Sequence, residues 1–298
     1  MMSSSLLHTP FCSKMCSVKH HDLVIALCMD DNRGKRTEFG YELGKYHVLL
    51  RECVDKFTSN GWDRNTDVPD CSKHLRFPLV YLAAAFGKHK SLEGLLKMDF
   101  SPSARSTSGE TALHAAVRSL YHHIYSDSER KKAIFDNIVN VLGDHEPKIF
   151  SLSDTTRGQT PLHVAARELV EAGLCSRRTC GKQSNPDAKR IYYKGCLETM
   201  LKKILELKER LKFSEEEVMS TVGQQDKEGN TMLHILAASQ HEYGQSVFQF
   251  ITGNFQCEKL LLIKNEVGKS PLEVAVEKNQ KPSALFSPLN SPVEGLTR

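Results

Sequence analysis

The 298-residue sequence has no long apolar run. Its longest clean stretch, Leu23 to Met29, is far too short to cross a bilayer, which takes about 20 residues. Over Met1 to Phe11 there is no basic region followed by an apolar core, so no secretory signal is expected. No Asn-X-Ser/Thr acceptor occurs anywhere. The nine cysteines are odd in number and scattered, which fits a reducing compartment better than a disulfide framework. Catalytic signatures are also missing. Neither Gly-x-Ser-x-Gly nor His-Glu-x-x-His is present, and Gly40-x-x-x-Gly44-Lys45 is one residue short of a phosphate loop and lacks its Ser/Thr. These absences predict a cytoplasmic or nuclear protein with no membrane span, no cofactor and no chemistry of its own.

What is present fits a globular chain. Apolar residues make up 40% and charged residues 26%, too apolar a mixture for wholesale disorder. The net charge of +4 is mild, but its placement is uneven. Between Glu171 and Gly195 stand Arg177, Arg178, Lys182, Lys189, Arg190 and Lys194 against two carboxylates, Glu171 and Asp187, so this one stretch carries the whole excess.

One four-residue motif returns along the chain: Thr111-Ala-Leu-His114, Thr160-Pro-Leu-His163, Thr231-Met-Leu-His234 and, weaker, Ser270-Pro-Leu-Glu273. Each copy follows a glycine by two positions (Gly109, Gly158, Gly229, Gly268) and precedes alanines such as Ala116, Ala165-Ala166, Ala237-Ala238 and Ala275. Pro78-Leu79-Val80-Tyr81-Leu82-Ala83-Ala84 is a degenerate copy, 33 residues before Thr111. The residue types suit a helix start. Thr accepts a first-turn N–H, Pro has the φ of the first helical residue, and Gly allows positive φ in the preceding turn. Small alanines let helices approach closely.

This pattern resembles the ankyrin repeat, with its period of about 33 residues and its Thr-Pro-Leu-His signature. The resemblance covers roughly 77–280 and implies an all-α solenoid of about five helix pairs joined by short β-hairpin turns. It also implies that the motif histidines bridge neighbouring turns, a structural role; Glu273 in their place then implies a looser last repeat. The expected repeats are 77–106, 107–155, 156–226, 227–264 and 265–280. Leu92-Glu-Gly-Leu95-Leu96 has the spacing of a receptor-binding helix, but it falls on the family's outer helix and is read as core.

Spacings of 49, 71 and 39 residues between successive Thr/Ser positions exceed that period and imply insertions of about 16, 38 and 6 residues. The first is expected around 120–132, before an outer helix at Ile138-x-x-Val141-Leu142, with Ser126-x-x-Glu129 as a capping box. The second is expected over Glu171 to Lys194. A long amphipathic helix through Leu197, Leu201, Ile204, Leu205 and Leu211 follows it, then a short one capped by Ser214-x-x-Glu217. Loops this long are functional or disordered.

The ends read differently. In 1–76, Leu43, Tyr46, Leu50, Val54 and Phe57 predict one amphipathic helix, read as a cap on the first repeat, with the first residues flexible. The tail 281–298, with Ser287-Pro288 and Ser291-Pro292, is expected to be disordered. No polar capping repeat closes the array, which hints at a fragment of something longer.

Cys12, Cys16 and His20, with Cys71 and His74, offer zinc-ligand types, yet the paired Cys-x2-Cys knuckles are missing and no metal is expected. By resemblance, partners meet the turn tips and inner helices: Arg105, Ser106, Thr155, Thr156, Arg157, Lys227, Glu228 and Glu266 at the tips, and Arg118 and Arg167 on the helices. Their mixed charges point to a protein epitope rather than DNA, which wants a continuous basic stripe. The expected function is a protein-interaction scaffold or adaptor. Two alternatives stay open: the regulatory or targeting region of a larger enzyme of ubiquitin-ligase or helicase type, and a nucleic-acid binder through the basic 177–194 insertion. Arg177-Arg178 and Lys189-Arg190 are also spaced like a bipartite nuclear import signal.

Overall fold

A computed structural model describes residues 78–123, 128–172, 186–239, 241–255 and 258–278. The expected helix over 43–57, Ser126, Arg177, Arg178, Lys182, the tail and the candidate zinc ligands lie outside the described residues. The chain divides into two compact units, Met1–Thr156 and Arg157–Arg298. All described regular structure is helical.

In the first unit, α1 (Leu79–Ala85) and α2 (His89–Lys97) form one pair, and α3 (Ala112–His123) and α4 (Ser128–His145) the next. The inner helices α1 and α3 pack on each other, and so do the outer helices α2 and α4. Alanines make this possible: Ala83, Ala84, Ala115 and Ala116 are fully buried, so two helix backbones come close while Leu79, Leu113 and Leu120 fill the remaining space. The insertion of the second repeat is therefore largely helix, since it lengthens both α3 and α4. A 3-10 turn, Pro147–Phe150, follows. Glu146 caps it by accepting the Lys148 N–H, and Ile149 and Phe150 drop into the core.

In the second unit, α5 (Pro161–Glu171), α8 (Met232–Ala237) and α11 (Pro271–Glu277) form an inner row. The outer elements are α6 (Pro186–Leu211), α7 (Glu215–Val222), α9 (Glu242–Asn254) and α10 (Glu258–Leu262). With 26 residues, α6 is about 39 Å long at 1.5 Å per residue. The helix expected after Lys194 starts earlier, at Pro186, because Tyr192 and Tyr193 are apolar enough to be buried against the unit and pull the chain into register. Leu197, Leu201 and Ile204 are buried as the spacing requires, whereas Leu211, at the helix end, is 44% exposed. The Ser214 box forms as expected: Glu217 accepts the Ser214 N–H at 2.8 Å, and Ser214 Oγ accepts the Glu217 N–H at 3.2 Å.

The turns between pairs are short hairpins closed by their own backbone, Ser106 N–H donating to the Glu110 carbonyl, Asp226 N–H to Asn230 and Asn265 N–H to Lys269, and no strand occurs among the described residues. Neighbouring turns are tied to each other by single backbone bonds. Thr155 N–H donates to the Ser108 carbonyl in the first unit; in the second, Lys227 N–H donates to Arg157 and Glu266 N–H to Glu228. Close approach explains the glycine at 109. Its φ is +76°, and a Cβ there would lie 2.5 Å from Thr155 Cγ2.

Candidate partner-binding surface

Three of the turns are built by a short polar side chain that bonds its own backbone, the local chemistry that favours Ser, Asp and Asn in such places. Ser106 Oγ accepts the Glu110 N–H; Asp226 Oδ1 accepts the N–H groups of Glu228 and Asn230; Asn265 Oδ1 accepts those of Val267 and Lys269. The 154–158 turn carries one residue more between its buried aspartate, Asp154, and its glycine. With the backbone so engaged, the tip side chains are left outward.

The motif threonines and histidines lock these turns to the helices. Thr160 N–H donates to His163 Nδ1 at 3.3 Å, and His163 Nε2 lies 2.9 Å from the Asn230 carbonyl in the next turn. His234 repeats the arrangement, from Thr231 at 3.1 Å to the Lys269 carbonyl at 2.9 Å. In the first unit Thr111 N–H donates to His114 Nδ1 at 3.1 Å. An Nδ1 that accepts an N–H and an Nε2 facing a carbonyl define the neutral tautomer protonated at Nε2. Desolvation by burial lowers the pKa of both His163 and His234, more than the facing carbonyls raise it. These histidines bridge neighbouring turns.

The last repeat was expected to be looser, but its cap is complete. Glu273 accepts the Ser270 N–H at 2.6 Å while Ser270 Oγ accepts the Glu273 N–H. That bond to the Ser270 backbone holds the Glu273 carboxyl below its usual range. The carboxylate fills the cap but, unlike imidazole, has no donor to send to a further turn.

The residues expected to meet partners fall into three groups. Thr155, Thr156, Arg157, Lys227, Glu228 and Glu266 are exposed on the tips. Arg105 is exposed too, yet its guanidinium bonds the Gly109 carbonyl at 2.9 Å and the Ser153 carbonyl at 2.6 Å, which makes it a brace for its turn. Ser106 is a correction: it is buried, because its hydroxyl builds the turn. On the inner helices, Arg118 pairs with Glu110 at 2.7 Å, and Glu110 also accepts the Tyr81 hydroxyl. Arg167 faces Asp226 at 3.6 Å.

The basic insertion is corrected in part. Lys189, Arg190 and Lys194 lie on α6, not in a loop, and each has a carboxylate: Glu168 at 3.0 Å, Asp187 at 2.9 Å and Glu198 at 3.7 Å. Arg190 also reaches His241 Nε2 at 3.0 Å. Helix formation set Asp187 and Glu198 at neighbouring helical positions, and packing of α6 on α5 brought Glu168 to Lys189, neither of which loop reasoning could anticipate.

The second unit holds an open cleft of about 370 Å³. Arg167, Val170 and Glu171 line it from α5, His234, Ile235 and Ala238 from α8, and Val274 and Glu277 from α11; Glu228, Asn230, Asn265, Val267 and Lys269 complete it from two turns. Sequence reasoning missed its apolar part. The signal was the aliphatic residue directly after the motif position, Ile235 and Val274. No described helix is long and apolar enough to cross a membrane, and no metal-binding cluster occurs among the described residues.

No model of a known protein family matches the chain, and no curated protein matches it. Solved structures do resemble it. One is a chain from the structure of the predatory endopeptidase Bd0816 of Bdellovibrio bacteriovorus in complex with the immunity protein Bd3460. It is 18% identical, with 92% of this chain and 97% of that chain covered and a TM-score of 0.47. Another is EF0377, described as an ankyrin repeat protein, at 10% identity, 89% and 94% coverage and a TM-score of 0.49. The fold is carried by the chain's own geometry: recurring Thr-x-x-His caps, glycine turns bonded to their neighbours and paired helices make this an all-α helix-pair repeat protein whose pattern resembles the ankyrin repeat.

Proposed function

We propose that this chain is a protein-interaction scaffold or adaptor of the cytoplasm or nucleus, with its repeats at 77–106, 107–155, 156–226, 227–264 and 265–280, and without catalysis of its own. One observation carries the reading. Tip backbones are pinned by bonds between neighbouring turns, while Arg157, Lys227, Glu228 and Glu266 project into solvent. A surface already ordered before a partner arrives does not lose backbone entropy on binding, which is the general advantage of preorganisation. The tips mix charges of both signs, as a polar protein epitope requires.

The test is affinity capture from cells followed by mass spectrometry. Wild type is compared with a variant carrying Arg157→Ala, Lys227→Ala and Glu266→Ala. Selective loss of captured proteins from the folded triple variant is the expected result. An unchanged, reproducible set of proteins would remove the tips from the binding surface and sink the reading.

A further inference from the structure

The cleft of the second unit is asymmetric in charge. Both of its cations are already engaged: Arg167 faces the buried Asp226 at 3.6 Å, and Lys269 is bonded to Glu277 at 2.6 Å. Of its carboxylates, Glu171 at the end of α5 and Glu228 at a turn tip are exposed, and neither enters an ion pair among the described residues. Beneath them Val170, Ile235 and Val274 are only half-buried, and Val267 at the rim is 76% exposed.

We propose that this cleft docks an extended cationic peptide segment of a partner protein, one in which arginine or lysine alternates with aliphatic residues; the inference rests on the scaffold reading above. An extended chain turns successive side chains to opposite sides, so alternate positions can meet the aliphatic floor and the carboxylates at its edge. The volume of about 370 Å³ sits at the small end of ligand clefts, about 300–1,000 Å³. It admits a few side chains and excludes a folded domain. An acidic peptide or a nucleic-acid phosphate would bring negative charge against Glu171 and Glu228, a like-charge juxtaposition that selects against both.

The experiment uses the full chain and fluorescence polarisation. The probe is a labelled nine-residue peptide alternating arginine and leucine, beside one with glutamate for arginine and one with serine for leucine. Glu171→Lys/Glu228→Lys is compared with Glu209→Lys/Glu216→Lys, which changes charge equally at exposed positions away from the cleft. The arginine–leucine peptide is expected to bind wild type, to weaken about tenfold or more on the cleft variant, and to weaken less than about twofold on the control. Both altered peptides are expected to bind about tenfold more weakly than it does. Equal weakening by the two variants, binding of the glutamate peptide as tight as the arginine one, or no binding to folded wild type overturns the proposal. Capture of cellular partners by the cleft variant separates the two readings. Retention of every protein that the tip variant loses leaves the scaffold standing and removes the cleft.

Discussion

Replacing His163 with alanine tests the physical core of the repeat. Its imidazole is fully buried and spans two turns: Nδ1 takes the Thr160 N–H, and Nε2–H reaches the Asn230 carbonyl. Removal strands a buried N–H, at about 1–3 kcal/mol, and a half-buried carbonyl, at about 1 kcal/mol. A residual void of order 50 Å³ adds about 1 kcal/mol at roughly 24 cal/mol per Å³. The total loss is about 3–5 kcal/mol, a large share of the usual 5–15 kcal/mol, and a melting point lower by roughly 10 °C. Urea denaturation followed by far-UV circular dichroism at pH 7.5 measures it. A loss under about 1 kcal/mol would refute the structural role of the imidazole.

The same side chain predicts a pH dependence. Burial lowers its folded pKa below the ordinary 6.5, so above that value the folded and unfolded chains are both neutral there and stability is unaffected. As pH falls through 6.5, the unfolded chain binds a proton that the native state refuses. Stability then declines by up to about 1.4 kcal/mol per pH unit for each such histidine, until the folded value is reached. His234 acts in the same direction, through burial. His163→Ala is expected to flatten this slope between pH 7.5 and 5.5. An unchanged slope would mean the imidazole is not held neutral.

Three further substitutions probe the turns and caps. Gly109→Ala combines a φ of +76° with a Cβ 2.5 Å from Thr155, while at Gly268 φ is +79° with nothing within 4 Å. Thermal unfolding should therefore show Gly268→Ala losing about 1–2 kcal/mol, from φ strain only, and Gly109→Ala distinctly more; equal losses would dispose of the close approach between turns. Arg105→Ala should lose about 1–2 kcal/mol through its two carbonyl bonds, and an unaltered midpoint in denaturant would return Arg105 to the partner surface. Ser214→Ala should lose about 1 kcal/mol by opening the exposed capping box before α7; a loss near zero would show that water replaces the cap.

The helix starts were legible from adjacent residues alone. Thr160, Thr231 and Ser270 begin helices because a side-chain oxygen and its partner three residues on satisfy orphan N–H groups, a matter of adjacent residues. The buried alanines and leucines of the inner helices were legible in the same way, from period and size. Bonds across long separations were not. Ser106 reads as a polar tip residue until its hydroxyl is seen closing the turn on Glu110, and Arg105 reads as a free cation until Ser153 comes within reach. Lys189, Arg190 and Lys194 read as a basic loop from repeat spacing and charge, yet Tyr192 and Tyr193 stand four positions before Cys196 and Leu197, and their burial extends α6 back to Pro186. The cleft needed tertiary structure altogether: Glu171, Glu228 and Ile235 lie up to 64 positions apart, and only the stacking of α5, α8 and α11 sets carboxylates beside an aliphatic floor. A capping motif is encoded where it acts, whereas a surface depends on which distant segments packing brings together.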